Sequence, residues 1–301
     1  NYTFYSTLSG TISYGGSCGS DNTSADGEDN NTVTFRNLAD ETYDNCTVRV
    51  TSNGVVSDNL TVSSFIIDTT APELDTVNIR SNNANTTMAK VGNIIYLDLT
   101  FSENVNTPTV LIAEQSASRN SGSGSTWVYR YTMQISDPTG LVNHSVAFTD
   151  ANGNAGTTDN STTNGSAVLF DKTAPALIEI TAVSTPDNDS TPNYTFYSNE
   201  AGTITYAGDC RSSDTSADAD NNTITFNALA DKTYDDCIIT VTDSTGNTSN
   251  NLEVSPFKID TTAPTLSQVT PVSTPTGDNT PNYTFNSNEA GTITYGGACG
   301  S

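Results

Sequence analysis

Glu103, Asp150, Asn152, Asn154 and Asp171 are all oxygen donors of the kind that hard divalent cations prefer. Calcium takes about six to eight such oxygens from carboxylates, amides and backbone carbonyls. If the central part of the chain folds as a β-sandwich, these five residues can converge at one end of it and form a candidate calcium site. The run Asp150-Ala151-Asn152-Gly153-Asn154 is equally good tight-turn chemistry, so both readings stand on the same residues. The loops Asp21 to Asn31 and Asp214 to Asn222 are acidic, but they lack the ligand spacing of a helix-flanked calcium loop and read as solvated hairpins.

The other reactive side chains are few. Five cysteines and one histidine are present. Cys18 and Cys46 recur, at nearly the same spacing, as Cys210 and Cys237. In each copy both fall on the apolar parity of their strands, which predicts Cys18–Cys46 and Cys210–Cys237 disulfides and hence an oxidising compartment. Cys299 matches Cys18 and Cys210, and its partner is expected beyond Ser301. With these cysteines committed and His144 alone, neither a zinc site nor a Cys–His pair can be built. No Gly-x-Ser-x-Gly nucleophile motif occurs, and carboxylate pairs in so acidic a chain do not single out a glycosidase. His144 is therefore expected to be structural and the chain non-enzymatic. Asn-x-Ser/Thr sequons such as Asn22, Asn45, Asn59, Asn85 and Asn188 are frequent because Asn, Ser and Thr are abundant, and they carry no weight for glycosylation.

Charge narrows the partners. Asp and Glu number 34 against 10 Lys and Arg, for a net charge of −24. No basic patch can be assembled for nucleic acid or for an anionic membrane. No apolar run approaches the ~20 residues that span a bilayer, so no membrane insertion is expected in this segment. Hydrophobic residues make up 34% of the chain, yet they alternate cleanly, which separates it from a disordered polar sequence.

The elements that must position these residues come from a repeat. Asn1-Tyr2-Thr3-Phe4 returns at Asn193 and again at Asn282, and Asp-x-Thr-Ala-Pro falls at Asp68, Asp171 and Asp260. These markers divide the chain into a disulfide-bearing domain lacking its first strand (1–72), a cysteine-free domain (73–175), a second disulfide-bearing domain (176–264) and the start of another (265–301). The chain is expected to be a window on a longer one. Within each copy the segments are short, rich in Thr, Val, Ile, Tyr and Phe, and punctuated by Gly, Asn, Asp and Ser. Alternation at Tyr194/Phe196, Ile204/Tyr206, Ile224/Phe226 and Ile239/Val241 predicts antiparallel strands, as does Ile95/Leu97/Leu99/Phe101 in the middle domain. Trp127, Tyr129 and Tyr131 alternate and are expected to fill that domain's core. The Ser/Gly-rich stretch Ala117 to Ser125 reads as a mobile loop. A parity slip at Pro256 reads as a bulge or an edge position. The fold class is all-β: tandem antiparallel sandwiches.

Several motifs carry a resemblance that covers essentially the whole chain. Ser198-Asn199-Glu200-Ala201-Gly202-Thr203, Leu229-Ala230-Asp231-Lys232-Thr233-Tyr234, Asp243-Ser244-Thr245-Gly246-Asn247 and Asp260-Thr261-Thr262-Ala263-Pro264 resemble the bacterial immunoglobulin-like (Ig-like) repeats of giant surface proteins and adhesins. The middle domain, with Phe148-Thr149-Asp150-Ala151-Asn152-Gly153-Asn154 and Asp171-Lys172-Thr173-Ala174-Pro175, is similar to a sister type. The resemblance implies extracellular display on a bacterial surface, an extended array of domains whose partners are the neighbouring repeats, and calcium at domain junctions. It implies a non-catalytic stalk. Two alternatives remain: a subunit of an extracellular filament in which Ig-like domains of different copies exchange strands, and a carbohydrate-binding accessory module.

Overall fold

Alternating β-branched and aromatic residues favour pleated strands with one buried face, and the short polar clusters between them favour turns. The computed structural model describes residues 1–298, and Cys299 lies outside them. Among the described residues every regular element is a strand. The chain divides into two compact units after Asp171. Among the described residues three separate hydrophobic cores are present, two in the first unit and one in the second.

The N-terminal sandwich pairs Tyr2–Ser6 with Asp29–Val33, and Glu41–Tyr43 with Phe65–Ile67. Its other sheet is centred on Gly10–Gly15 and Thr47–Ser52. Phe4, Ile12, Val33, Tyr43, Val48 and Val62 form the core, and Cys18–Cys46 closes across it with a Cα–Cα distance of 5.3 Å.

The cysteine-free sandwich has a four-stranded sheet ordered Leu74–Ser81, Ile94–Phe101, Thr126–Thr132, Ser118–Ser123. Facing elements include Thr109–Ile112 paired with His144–Ala147. Met88–Ala89 runs parallel to Leu169–Phe170 at the domain's end. Ile95, Leu97, Leu99, Phe101, Trp127 and Tyr129 are buried, as their alternation requires. The stretch expected to be a mobile loop is instead the edge strand Ser118–Ser123, irregular between Arg119 and Ser121. Backbone pairing to the Trp127 strand orders it, and Gly122, at φ 102°, passes where a Cβ would meet the Thr126 carbonyl.

The second unit repeats the disulfide-bearing sandwich with an added first strand, Leu177–Thr181, and without a counterpart of Val55–Val56. Leu177–Thr181 pairs with Asn193–Ser198, which pairs with Asn221–Thr225. Gly202–Ala207 and Ile238–Thr242 form the centre of the opposite sheet. Cys210–Cys237 again bridges at a Cα–Cα distance of 5.3 Å. The slip at Pro256 is neither a bulge nor a simple edge: Leu252–Glu253 pairs with Ile238 and Ile239, whereas Phe257–Ile259 pairs with Lys232–Tyr234. The chain changes sheets there, so the inward parity is reset. Beyond this sandwich, Leu266–Thr270 pairs with Thr284–Ser287.

Candidate metal centre

The last strand of the N-terminal sandwich delivers Asp68 to the turn Asp150–Asn154 of the next domain. Asp150 Oδ1 accepts the backbone N–H groups of Asn152 and Asn154 at 2.9 and 2.8 Å, and its Oδ2 accepts the Asn154 side-chain amide at 2.7 Å. Gly153, at φ 95°, makes this tight return possible. The two asparagines then reach out of their own turn. Asn152 Nδ2 donates to Asp68 Oδ2 at 2.7 Å, and Asn154 Nδ2 donates to the Asp68 carbonyl at 3.0 Å. Asn106 donates its amide to the Asp150 carbonyl and to Thr149 Oγ1. Glu103, after the strand Ile94–Phe101, brings a third carboxylate: Asp68, Glu103 and Asp150 each offer an oxygen within 4.8 Å of the others.

The electrostatics of this group are uneven. Asp150 is 1% exposed. Burial opposes its ionisation, but the hydrogen bonds from Asn154, Asn152 and Gly153 outweigh burial and hold it below the usual carboxylate range. Glu103 goes the other way: burial first, then the charges of Asp68 and Asp150, push it up. The donor set fits a hard cation. Oxygens on opposite sides of one calcium ion lie about 4.6–5.2 Å apart, and the donors are carboxylates with no sulfur or imidazole among them. A cation here would neutralise the repulsion that raises Glu103.

Of the five residues proposed from sequence, Glu103, Asp150, Asn152 and Asn154 meet around this turn. Asp171 does not join them; Asp68 does. Both aspartates open the same Asp-x-Thr-Ala-Pro marker, but Asp171 follows its own domain's last strand, with its N–H bonded to the Ala89 carbonyl. Only the aspartate of the preceding domain reaches the turn. The same turn recurs as Asp243–Asn247, where Asp243 Oδ1 accepts the Thr245 and Asn247 N–H groups and Oδ2 accepts the Asn247 amide. The first copy replaces it with Asn53-Gly54, both at positive φ.

A second device was not anticipated. Asp40 accepts from Thr69 N–H at 3.1 Å, Thr69 Oγ1 at 2.9 Å and Thr70 Oγ1 at 2.8 Å. Asp231 repeats this with Thr261 N–H and Oγ1 and with Thr262 Oγ1. Each Leu-Ala-Asp turn thus clamps the Thr-Thr of its own Asp-Thr-Thr-Ala-Pro linker. The signal was the recurrence of Leu-Ala-Asp in both copies. The clamping bonds, led by that of the second threonine hydroxyl, hold Asp40 and Asp231 below the usual carboxylate range.

The remaining two candidates are buried. Trp127 is 4% exposed and donates its indole N–H to the Gly124 carbonyl. His144 is buried and its Nε2 has no hydrogen-bond partner. No protein-family model matches the chain, and no curated protein matches it. Among solved structures the chain is similar to a 1.5-MDa bacterial ice-binding adhesin, at 15% identity and TM-score 0.38 over 84% of this chain and 85% of that one. It is also similar to the D00-D0 domain of intimin, at 10% identity and TM-score 0.29 over 58% of this chain and 98% of that one. A third is the titin Ig tandem A164-A165, at 7% identity and TM-score 0.25 over 63% and 96%. Likeness at these levels says nothing of what this chain binds.

Proposed function

We infer that this chain is a non-catalytic, load-bearing repeat array of a bacterial extracellular fibre or adhesin stalk, with calcium bound between Asp68, Glu103 and Asp150. The observation that carries this reading is the junction itself. Asp68 belongs to one sandwich, yet its carboxylate and its carbonyl are both held by asparagines of the next. Asp40 fixes the intervening threonines from behind, and Pro72 fixes φ two residues further on. Such a linker resists bending, which a spacer needs and an enzyme domain does not. Disulfides support an oxidising location outside the cell. A net charge of −24 keeps neighbouring fibres apart. With Trp127 buried, its ring offers no platform for stacking on a sugar.

Small-angle scattering in calcium and in chelator tests the reading. The expected result is an elongated particle whose interdomain spread narrows when calcium is added. A compact particle, or one whose profile ignores calcium while Asp68→Asn also changes nothing, overturns it.

A further inference from the structure

Asparagine followed by glycine is chemically labile in water, because the glycine nitrogen attacks the asparagine side chain with no Cβ in its way. The pair occurs at Asn53, Asn152 and Asn164. All three asparagines are exposed. Their glycines all sit at positive φ: 79° at Gly54, 95° at Gly153 and 71° at Gly165. Residue type and exposure therefore rank the three together, and what separates them is how each turn is tied down.

Attack requires the side-chain Cγ to swing onto the following nitrogen and the turn to leave its resting backbone angles. Each hydrogen bond that holds the side chain or the turn must break first, at about a fivefold loss of rate apiece. Asn152 is held three ways. Its N–H donates to Asp150 Oδ1 at 2.9 Å and its Nδ2 to Asp68 Oδ2 at 2.7 Å, while Gly153 N–H donates to the Asp150 carbonyl at 3.4 Å. Asn164 has both ends of its amide engaged: Nδ2 donates to Asn78 Oδ1 at 2.9 Å, and Oδ1 accepts Ser166 N–H at 3.0 Å. Next to it, Thr163 N–H donates to the Val77 carbonyl at 3.1 Å. At Asn53 the tethers are missing. Among the described residues neither its side chain nor the Gly54 N–H has a hydrogen-bond partner. The turn closes a two-residue hairpin whose pairs are Ser52↔Val55 and Thr51↔Val56. Val55–Val56 is an edge strand, and its valines are 73% and 52% exposed and stand outside the core. Opening this tip costs two backbone pairs and no packing, which puts it at the low end of local stability.

We propose that Asn53 is a site of spontaneous modification by water, at which the folded chain acquires aspartyl and isoaspartyl linkages while Asn152 and Asn164 remain amides. The Gly54 nitrogen gives its proton to hydroxide and bonds to Asn53 Cγ. The Cγ–Nδ2 bond breaks, and ammonia leaves with a proton from water, closing a five-membered succinimide. Water then opens the ring. Addition at Cγ breaks its bond to the Gly54 nitrogen and leaves aspartate on the original main chain. Addition at the main-chain carbonyl carbon leaves isoaspartate, with the main chain running through Cβ and Cγ. No group is oxidised or reduced. Isoaspartate lengthens the turn by one backbone atom, which a two-residue turn setting Ser52 opposite Val55 cannot absorb. The tip then unzips, and either product adds a negative charge to the first sandwich. At the matching place the second disulfide-bearing sandwich has Asp243–Asn247, where Gly246 follows Thr245 and no such ring forms. Conversion is one-way, so the modified fraction records the age of each chain.

Peptide mapping by mass spectrometry tests it on the folded 301-residue chain, aged in mildly alkaline buffer made with heavy-oxygen water and digested at acid pH. The expected result is that the peptide spanning Asn53 loses its amide, takes up heavy oxygen and splits into aspartyl and isoaspartyl forms. It does so at least about tenfold faster than the peptides spanning Asn152 and Asn164, the margin set by their tethers. In denaturant the tethers are gone and the three sites convert at similar rates. Asn53→Gln removes the fast component. The isoaspartyl form, separated from the unaged chain by its added charge, exchanges its Val55 amide hydrogen faster. Equal rates at the three sites in the folded chain, an Asn53 that converts only in denaturant, amide loss without uptake of heavy oxygen, a fast component that survives Asn53→Gln, or an isoaspartyl form whose Val55 exchanges no faster each overturns the proposal.

Discussion

Glu103 titrates where burial and the charges of Asp68 and Asp150 raise it. The native chain keeps a proton that the unfolded chain releases earlier, so this contribution is complete below the ordinary carboxylate range and is lost as pH rises through the raised value. Glu103→Gln removes the repulsion. Calorimetry should give a higher midpoint for the middle domain in chelator at neutral pH, and a smaller rise when calcium is added. His144 runs in the opposite sense. Burial lowers its pKa against the raising effects of Ser161 and Asp159. The unfolded chain takes up a proton near the ordinary value of 6.5 while the native chain refuses it, so stability falls as pH drops from there to the lowered value. His144→Leu should flatten the acid limb of the middle domain's melting curve measured between about pH 7 and 5. At this scale the turn was legible, because Asp-x-Asn-Gly-Asn names its own geometry. The partner aspartate was not, because a carboxylate arriving from the preceding sandwich leaves no periodic trace in the chain.

Elements were legible where apolar parity persisted over several residues, as in Ile94–Phe101. They were misread where backbone pairing alone holds the strand. Ser118–Ser123 has no apolar face to read, and the sheet change at Pro256 mimics a bulge because both reset parity. The cysteines were placed correctly as partners because two inward positions on facing segments must meet. Each closes a loop that the chain-entropy model values at about 3.5 kcal/mol. Reductant should therefore lower the melting transitions of the two stapled sandwiches and leave that of the cysteine-free domain in place. The same selectivity should follow Cys210→Ala with Cys237→Ala, in which only the second sandwich weakens.

For the whole molecule, the threonine clamps decide how far one sandwich constrains the chain that leaves it. Asp40→Ala frees Thr69 and Thr70 without touching a core residue, and Asp231→Ala does the same for Thr261 and Thr262. Spin labels on either side of the first linker should show a broader distance distribution in Asp40→Ala, with the domain melting points unchanged to within a degree or two. Because the clamping carboxylates are held below the usual range, the wild-type distribution should also broaden as pH falls through that lowered value, when their protonation weakens the accepting oxygens.

A bond between cysteines 28 positions apart also has a mechanical meaning. When the ends of the chain are hauled, residues inside that loop cannot be paid out, which withholds about 90 Å of contour at the rise of an extended strand. The middle bead has no such knot and can surrender its full length. Tension applied along the chain would therefore draw less contour from the first and third sandwiches than from the middle one, whose extension no covalent loop caps.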